Sequence, residues 1–513
     1  MNLKPTNVPL TAKEFDTAVC GLCAGCGCGC GYILYLRDSV PVDLYGHPED
    51  ENGIGSLCTK GITLIQEATR NPLRLREPFI RKGTDFERLT PAEVSSWIRE
   101  NLKGKVGVFL DRYTDLRDYA LARSMGWEIY SDSIYLPFKA STLKPREWRE
   151  RRVILSFECD PVFSEVMATR WLVDAFERSA YIFSVSTRLG TMGTKSTESL
   201  LLKPPLVVKF LEELAGAVEE GKSPAIFGEK VKKLAELLHT AYDSLILVGE
   251  TLLRTRWKGN VLHALRRIRK KLPVDYSIVG NVSPLPAKDV KDLKEDFREL
   301  EALVLFGNPA LYMSEEELKE LTKKKVVSIT PFPNLTAHHS TLVLPSLLFP
   351  EREFTAFRNG FGALFQSPQT LPRPEGIVEL AEILGVKTEP EKIPKLPTIE
   401  EVEGVWEIEP VETEGIYLVC DNTLVDDVGH WNVWTHEIER EQFVYMSEET
   451  AGSLSAKDEI VLKDISLKVR LDNNIARDVV FVPNSFEEMH PFDPGVRVGR
   501  LMREAYLRVE RLK

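Results

Sequence analysis

Residues 20–30 read CGLCAGCGCGC, and residues 55–61 read GSLCTKG. Five of the chain's eight cysteines, Cys20, Cys23, Cys26, Cys28 and Cys30, crowd into the first stretch, and Cys58 sits in the second. The crowding has three chemical readings. Disulfide frameworks belong to small secreted domains, whereas this chain has 513 residues and an N-terminus, MNLKPTNVPLTAKEF, without an apolar signal core. Structural zinc also uses C-x2-C spacing. Iron–sulfur ligation is the leading reading, because a cubane cluster needs four converging thiolates. Short loops supply two or three of them, and a distant cysteine closes the site. The interleaved glycines allow the positive φ angles that a wrapped loop needs.

Two registers compete. Cys20, Cys23, Cys26 and Cys30 spell C-x2-C-x2-C-x3-C, the bacterial ferredoxin run, although no proline follows Cys30 and no second cysteine run exists. Cys23, Cys26 and Cys30 alternatively spell C-x2-C-x3-C, closed by Cys58. That spacing, followed by LCxKG, resembles the N-terminal 4Fe–4S domain of the molybdopterin oxidoreductase family, which includes formate dehydrogenase α subunits. The resemblance implies cluster ligands at Cys23, Cys26, Cys30 and Cys58, with Lys60 between the cluster and a pterin, on the electron path. Cys20 and Cys28 are then spare thiols. The bland reading of Lys60 is a solvated lysine on a turn.

Outward from the cysteines, Asn71, Pro72, Leu73, Arg74, Leu75, Pro78 and Arg81 match the family's NPxRLxxPxxR passage. Pro91 starts a helix over Thr90–Leu102, residues 105–110 (KVGVFL) form a buried strand, and an amphipathic helix ends near Gly126. This βα alternation predicts a parallel, doubly wound sheet. A second unit starts with the strand Val153–Phe157, a turn at Glu158–Pro161 and a helix around Ala168–Arg178. The family places a GxNP turn, a VDPR strand end and an LxLxPGTD loop in this order, for one guanosine dinucleotide arm. Pro161, Thr187, Arg188, Lys203 and Pro204 are kept, but Glu158 replaces the turn's glycine, and the GTD is lost. Glycine matters there because backbone must approach a phosphate closely.

In a third region the strand Leu303–Phe306 runs into Gly307, Asn308 and Pro309, which keep the GxNP turn. Ser314 and Glu317 then form a capping-box pattern. LTAHHSTLVLPSLLFPEREFTAFRNGFGALFQ resembles the family's TAxxADVVLPxxxxxExxGTFTNxEGRxQ through Thr336, Ala337, Val343, Leu344, Pro345, Glu351, Thr355, Asn359 and Gly362. Cofactor-binding roles implied by the resemblance fall on Pro161, Arg188, Lys203, Gly307, Asn308, Pro309, Thr336, Thr355, Asn359 and Gly362. His338 and His339 are adjacent, and in a strand they face opposite ways.

The resulting fold class is multidomain α/β. It comprises a 4Fe–4S domain (1–75), a discontinuous α/β pterin-binding domain (76–150 with 290–395), a dinucleotide-binding-like α/β domain (151–289), a Pro/Glu-rich linker (396–415) and a C-terminal β-barrel (416–513). The family's metal ligand, usually cysteine, selenocysteine, serine or aspartate, belongs in 127–152. No cysteine occurs there, and the oxygen donors are Ser131, Asp132, Ser133 and Ser141. Cys159 reads as a buried structural thiol. His430 and His436, interleaved with Trp431 and Trp434, are candidates for a pterin or substrate channel.

The net charge of −11 argues against nucleic acid as partner, and no run reaches the ~18–20 apolar residues of a membrane span. A cytoplasmic protein is expected, and scarce Gln with abundant Lys, Glu and Arg hints at a thermophile. The implied cofactors are one 4Fe–4S cluster and a bis-molybdopterin guanine dinucleotide with Mo or W. The leading reading is a redox enzyme, formate dehydrogenase-like by analogy, within a hetero-oligomeric complex and passing electrons to ferredoxin-like or other iron–sulfur subunits. Two alternatives stand beside it. One is an inactive electron-transfer or scaffold subunit, like the large iron–sulfur subunit of complex I. The other is a compact relative of the formylmethanofuran dehydrogenase catalytic subunit.

Overall fold

The computed structural model describes residues 15–67, 71–358, 363–404, 406–421, 443–463, 465–483 and 509–512. Strands Thr17–Leu22, Gly31–Arg37 and Val40–Gly46 form an antiparallel sheet. Asp38 and Ser39, both at positive φ (51° and 64°), make the two-residue hairpin that joins the last two. The cysteine loop 23–30 connects the first two.

An eight-stranded sheet draws strands from two distant stretches of chain. Its spatial order is Lys288–Asp289, Glu128–Ser131, Val106–Leu110, Ala302–Phe306, Lys325–Thr330, Leu342–Pro345, Phe79–Lys82 and Asp85–Arg88, the first six parallel. The strand order reverses between Val106–Leu110 and Ala302–Phe306. That is where an open α/β sheet leaves a crevice beyond its carboxyl ends. Thr90 caps the helix Pro91–Asn101 in a capping box with Glu93, and Ser314 and Glu317 do the same for Glu315–Lys323.

A second, five-stranded sheet is wholly parallel, in the order Glu198–Leu201, Tyr181–Ser186, Val153–Phe157, Ser244–Gly249, Asp275–Val279. Val153–Phe157 and Ser244–Gly249 are buried throughout, as expected for strands with helices on both faces. The LLLKPP segment is not a phosphate loop in shape. Pro204 and Pro205 open a 17-residue helix, Pro204–Glu220, that ends at Gly221 with φ 64°. The reversal in this sheet lies between Val153–Phe157 and Ser244–Gly249. There Gly249 packs so closely on the Glu158 carbonyl that an added Cβ would collide with it. Gly249→Ala is expected to destabilise the protein by about 1–3 kcal/mol, read as a lowered thermal midpoint, whereas an unchanged midpoint would contradict this packing.

Of the region 416–513, where a β-barrel is expected, residues 416–421, 443–463, 465–483 and 509–512 are described. Among the described residues the strands form a six-stranded mixed sheet, a half-barrel with Glu459–Leu462 at one edge and Val509–Leu512 at the other. Short alternating strands are common to both shapes, and closure depends on edge pairing that alternation does not encode. The Pro/Glu-rich linker is also more than a tether. Trp257 Nε1 donates to Pro410 O at 3.1 Å, Ile399 N donates to the Tyr276 hydroxyl at 3.0 Å, and Gly259 abuts Glu407. It straps the five-stranded unit. No helix among the described residues is long and apolar enough to cross a membrane.

Candidate functional site

The cysteine loop is folded back on itself: Cys23 N donates to Cys30 O at 2.8 Å, and Gly25 N points to Cys23 Sγ at 3.4 Å. Cys58 caps the short helix Thr59–Ile62, whose Gly61 lies against Cys23 Sγ. Burial raises the Cys23 thiol, and the neighbouring thiols of Cys58, Cys26 and Cys30 raise it further. Cys58 is pushed up to about 12 by burial and then by Cys26, with Cys30 adding to it. These four sulfurs therefore lie within electrostatic reach of one another. Cys28 is buried and hydrogen-bonded to Cys26 and Cys30, and Cys20 is exposed on its strand. Among the described residues no three His, Cys, Asp or Glu side chains are arranged to hold a single metal ion.

Lys60 is not a solvated turn lysine. It is 3% exposed, and its ammonium pulls the pKa values of Cys26, Cys58 and Glu165 downward alike. Beyond it lies a charged constellation of which sequence reading named only Asp132: Glu165, Glu250, Arg254 and Asp132 are buried, and Arg112 is half-buried. Burial raises Glu165, Glu250 raises it further, and Lys60 and Arg112 oppose the rise. Burial likewise raises Asp132, against the pull of Arg112 and Arg254. Arg254 also donates to the Asp132 carbonyl. Of the four oxygen donors in 127–152, Ser131, Ser133 and Ser141 are engaged with Leu110 O (2.7 Å), Asn281 Oδ1 (2.7 Å) and Leu143 O (2.6 Å). Asp132 keeps one buried carboxylate oxygen, Oδ1, without a hydrogen-bond partner. No sequence signal could have assembled this group, because its members come from four separate segments.

The two crevices differ. At the end of Ala302–Phe306, Gly307 turns at φ 76°, tight against the Asp111 carboxylate, so the turn admits only glycine. Asn308 Oδ1 accepts from Thr336 N (3.1 Å) and Oγ1 (2.8 Å), and Ala310 N donates to Thr336 Oγ1 (3.0 Å). This lock fixes the turn, and Pro309 follows it as the first residue of a short 3-10 helix. A cavity of about 120 Å3 opens there, lined among others by Gly307, Asn308, Asn334 and Arg352. Arg352 is paired with Asp118 (3.2 Å) and Glu379 (2.7 Å), yet its buried Nε has no partner. A rigid glycine turn and an orphaned cationic donor favour a phosphate-bearing arm, whereas the carboxylates of Asp111, Asp118 and Glu379, which line the same cavity, oppose one.

At the other crevice Glu158 stands at φ 45°, an unusual angle for glutamate. Its carboxyl group accepts from Thr187 N (2.7 Å) and Thr187 Oγ1 (2.6 Å). Asp160 accepts from Thr191 N (2.7 Å) and caps Val162. Pro161 is the first residue of that short helix, and the Arg188 guanidinium stacks on Phe481 at 4.6 Å. The residues present do not fit a phosphate here.

Burial pushes the Glu158 carboxyl from 4.5 up to about 7, partly offset by the two Thr187 hydrogen bonds. Between those values the native state holds a proton that the unfolded chain has released, so stability falls as pH rises through this window. Glu158→Gln, a mimic of the protonated acid, is expected to remove a loss on the order of 3 kcal/mol. Denaturant melts of both proteins from pH 4.5 to 7.5 check this, and parallel pH profiles would refute it.

Other sequence candidates are dispersed. Lys203 Nζ binds Asp478 Oδ2 (2.9 Å) and Gly415 O (3.1 Å), joining the five-stranded unit to the C-terminal sheet. Thr355 N donates to Asp115 Oδ2 (3.0 Å), and its residue borders a separate groove of about 920 Å3 with Ser141 and Lys139. His338 and His339 lie on the helix Leu335–His339 rather than a strand; His339 Nδ1 meets Thr322 Oγ1 at 3.0 Å, and His338 packs near Phe86. Cys159 is a buried core thiol, as expected. Asn359, Gly362, His430 and His436 lie outside the described residues.

No protein-family model matches the chain, and no curated protein does. Solved structures do. One of them is acetylene hydratase from Pelobacter acetylenicus, with a TM-score of 0.66 at 14% identity, over 93% of this chain and 94% of that one. At that identity the likeness shows the fold alone.

Proposed function

We propose that the protein is a molybdenum- or tungsten-pterin oxidoreductase acting on a small substrate, formate being the first to test. Its electron outlet is a 4Fe–4S cluster on Cys23, Cys26, Cys30 and Cys58. The observation that carries this reading is Lys60, buried beside those thiols and acting on both Cys26 and Glu165. A cluster spreads its thiolates over four irons, which accords with four sulfurs that are near neighbours without converging on one point.

When bound, the pterin metal would supply two-electron chemistry and the cluster one-electron transfer. The chain's own residues do the rest. Gly307, Asn308, Pro309 and Thr336 fix the turn that receives the cofactor's nucleotide arm, with Arg352 as cation. Asp132, with its unpartnered oxygen, is the oxygen donor offered to the metal in place of the missing cysteine. Arg112 and Arg254 oppose the upward push that burial gives this carboxyl group. Lys60 offsets the negative charge of the thiolate loop and raises its tendency to accept an electron. Reduced clusters would hand electrons to a ferredoxin-like or other iron–sulfur subunit of a cytoplasmic redox complex.

Anaerobic addition of formate, or of another member of a small-substrate panel, is expected to bleach the iron–sulfur absorption and produce its EPR signal. If dithionite reduces the cluster and no substrate of the panel does, the oxidoreductase reading fails.

A further inference from the structure

The hairpin of strands Phe354–Arg358 and Ala363–Ser367 stands between the cysteine loop and the groove of about 920 Å3. Side chains along such strands alternate between the two faces. On one face Phe354 and Ala356 are buried in the same core cluster as Cys23 and Ala24. The Phe365 ring lies on that face too, against Gly29, which sits between Cys28 and Cys30. On the other face Thr355, Leu364 and Gln366 line the groove. One sheet's thickness therefore separates the four-cysteine set from this surface.

The groove is also bounded by the strap 389–396, which is fastened where Glu391 N donates to Leu116 O (3.2 Å) and Lys139 N donates to Pro397 O (2.8 Å). Leu364 is 53% exposed and shares the groove with Leu143, Ile393 and Leu396. An exposed apolar side chain in a concave surface is a contact point for a protein partner. Lys139, Lys144, Lys392 and Lys395 line the same groove, and all four are exposed. Glu147 and Glu389 oppose them, whereas the third groove glutamate, Glu391, is already bonded to Arg123 at 2.7 Å. Lys144 also meets Glu51 at 3.4 Å, an exposed pair worth little. Lysines thus outnumber the glutamates that face them, on a chain whose net charge is −11.

We propose that this groove docks the electron partner, and that the partner is a small acidic iron–sulfur protein of the ferredoxin kind, with an apolar side chain against Leu364 and carboxylates on the four lysines. This rests on the cluster half of the reading above. The step is a one-electron exchange: one cluster is oxidised, the other is reduced, and no bond forms or breaks. The lysines act on encounter, because charges at the rim of an interface set the association rate and its salt dependence. Leu364 acts on the lifetime of the complex.

The test is stopped-flow electron exchange between the full chain, with its cluster, and a small acidic 4Fe–4S ferredoxin, started from whichever of the two has the lower potential in its reduced form. The wild-type second-order rate is expected to fall as salt rises. Replacing Lys139, Lys144, Lys392 and Lys395 together by alanine should lower that rate about tenfold at low salt and flatten its salt dependence. Leu364→Ser should raise the half-saturating ferredoxin concentration about tenfold. Bound iron, and reoxidation of the cluster by a small neutral quinone, should match the wild type in both variants. Ferredoxin kinetics that are the same in all three proteins, with a reducible cluster present, overturn the docking proposal and leave the cluster reading intact. A wild-type rate that rises with salt does the same, because the docking face would then repel an acidic partner. Absence of any reducible cluster overturns both, so the two failures are distinguishable.

Discussion

Replacing Cys58 by alanine is expected to lower bound iron from about four atoms per chain to below one and to abolish the reducible EPR signal. Cys58 lies on a different segment from the other three thiols, ahead of the helix Thr59–Ile62, and it supplies the closing corner of the set. Its thiol is raised chiefly by burial, then by its neighbours, so as a free group it would be protonated. A bound iron is what makes a thiolate favourable there. Without it the loop 23–30 offers three thiolates to a cluster that needs four. Cys20→Ala is the matching control. Cys20 is exposed on the strand Thr17–Leu22, and its loss should leave iron unchanged. Iron retained in Cys58→Ala and lost in Cys20→Ala would establish the ferredoxin-type register instead.

Glu351→Ala should cost about 3–5 kcal/mol of stability, the second-largest effect. Arg74 Nη2 lies 2.6 Å from Glu351 Oε2, with both side chains nearly fully buried. Arg74 also donates to Ser346 O at 2.8 Å, but its Nε and Nη1 have no partner. Removing the carboxylate leaves a buried guanidinium uncompensated, the costly half of breaking a buried pair. Glu351 additionally accepts from Leu348 N at 2.8 Å, so the following turn loosens too. Chemical denaturation at neutral pH measures the loss, and a change below about 1 kcal/mol would show that the pair is dispensable.

Arg74 and Glu351 also show how far the sequence reaches. Both were visible as separate motif residues, 277 positions apart, and nothing local says that they pair. Spacing made Cys23, Cys26, Cys30 and Cys58 legible, and the Gly307–Asn308 turn was legible because a positive φ demands glycine. The βα alternation announced both parallel sheets. The helices Pro204–Glu220 and Lys258–Lys271, by contrast, drew no expectation. Lys60 was legible as a motif residue but not as a buried one, since burial comes from tertiary packing. At Glu158 the missing glycine was plain, whereas its consequence was not: the carboxyl group's partner is Thr187, 29 residues away in sequence. The C-terminal strands were legible from their alternation, which reports faces and not edges.

A pterin-held metal joined to an iron–sulfur cluster on one chain is the feature on which the proposed function stands. Counting Mo, W and Fe per chain by mass spectrometry, on protein made anaerobically in a cofactor-competent host, tests it most directly. The account predicts about one Mo or W for about four Fe. Iron at that level with neither Mo nor W would contradict it and leave an electron relay on a pterin-enzyme fold.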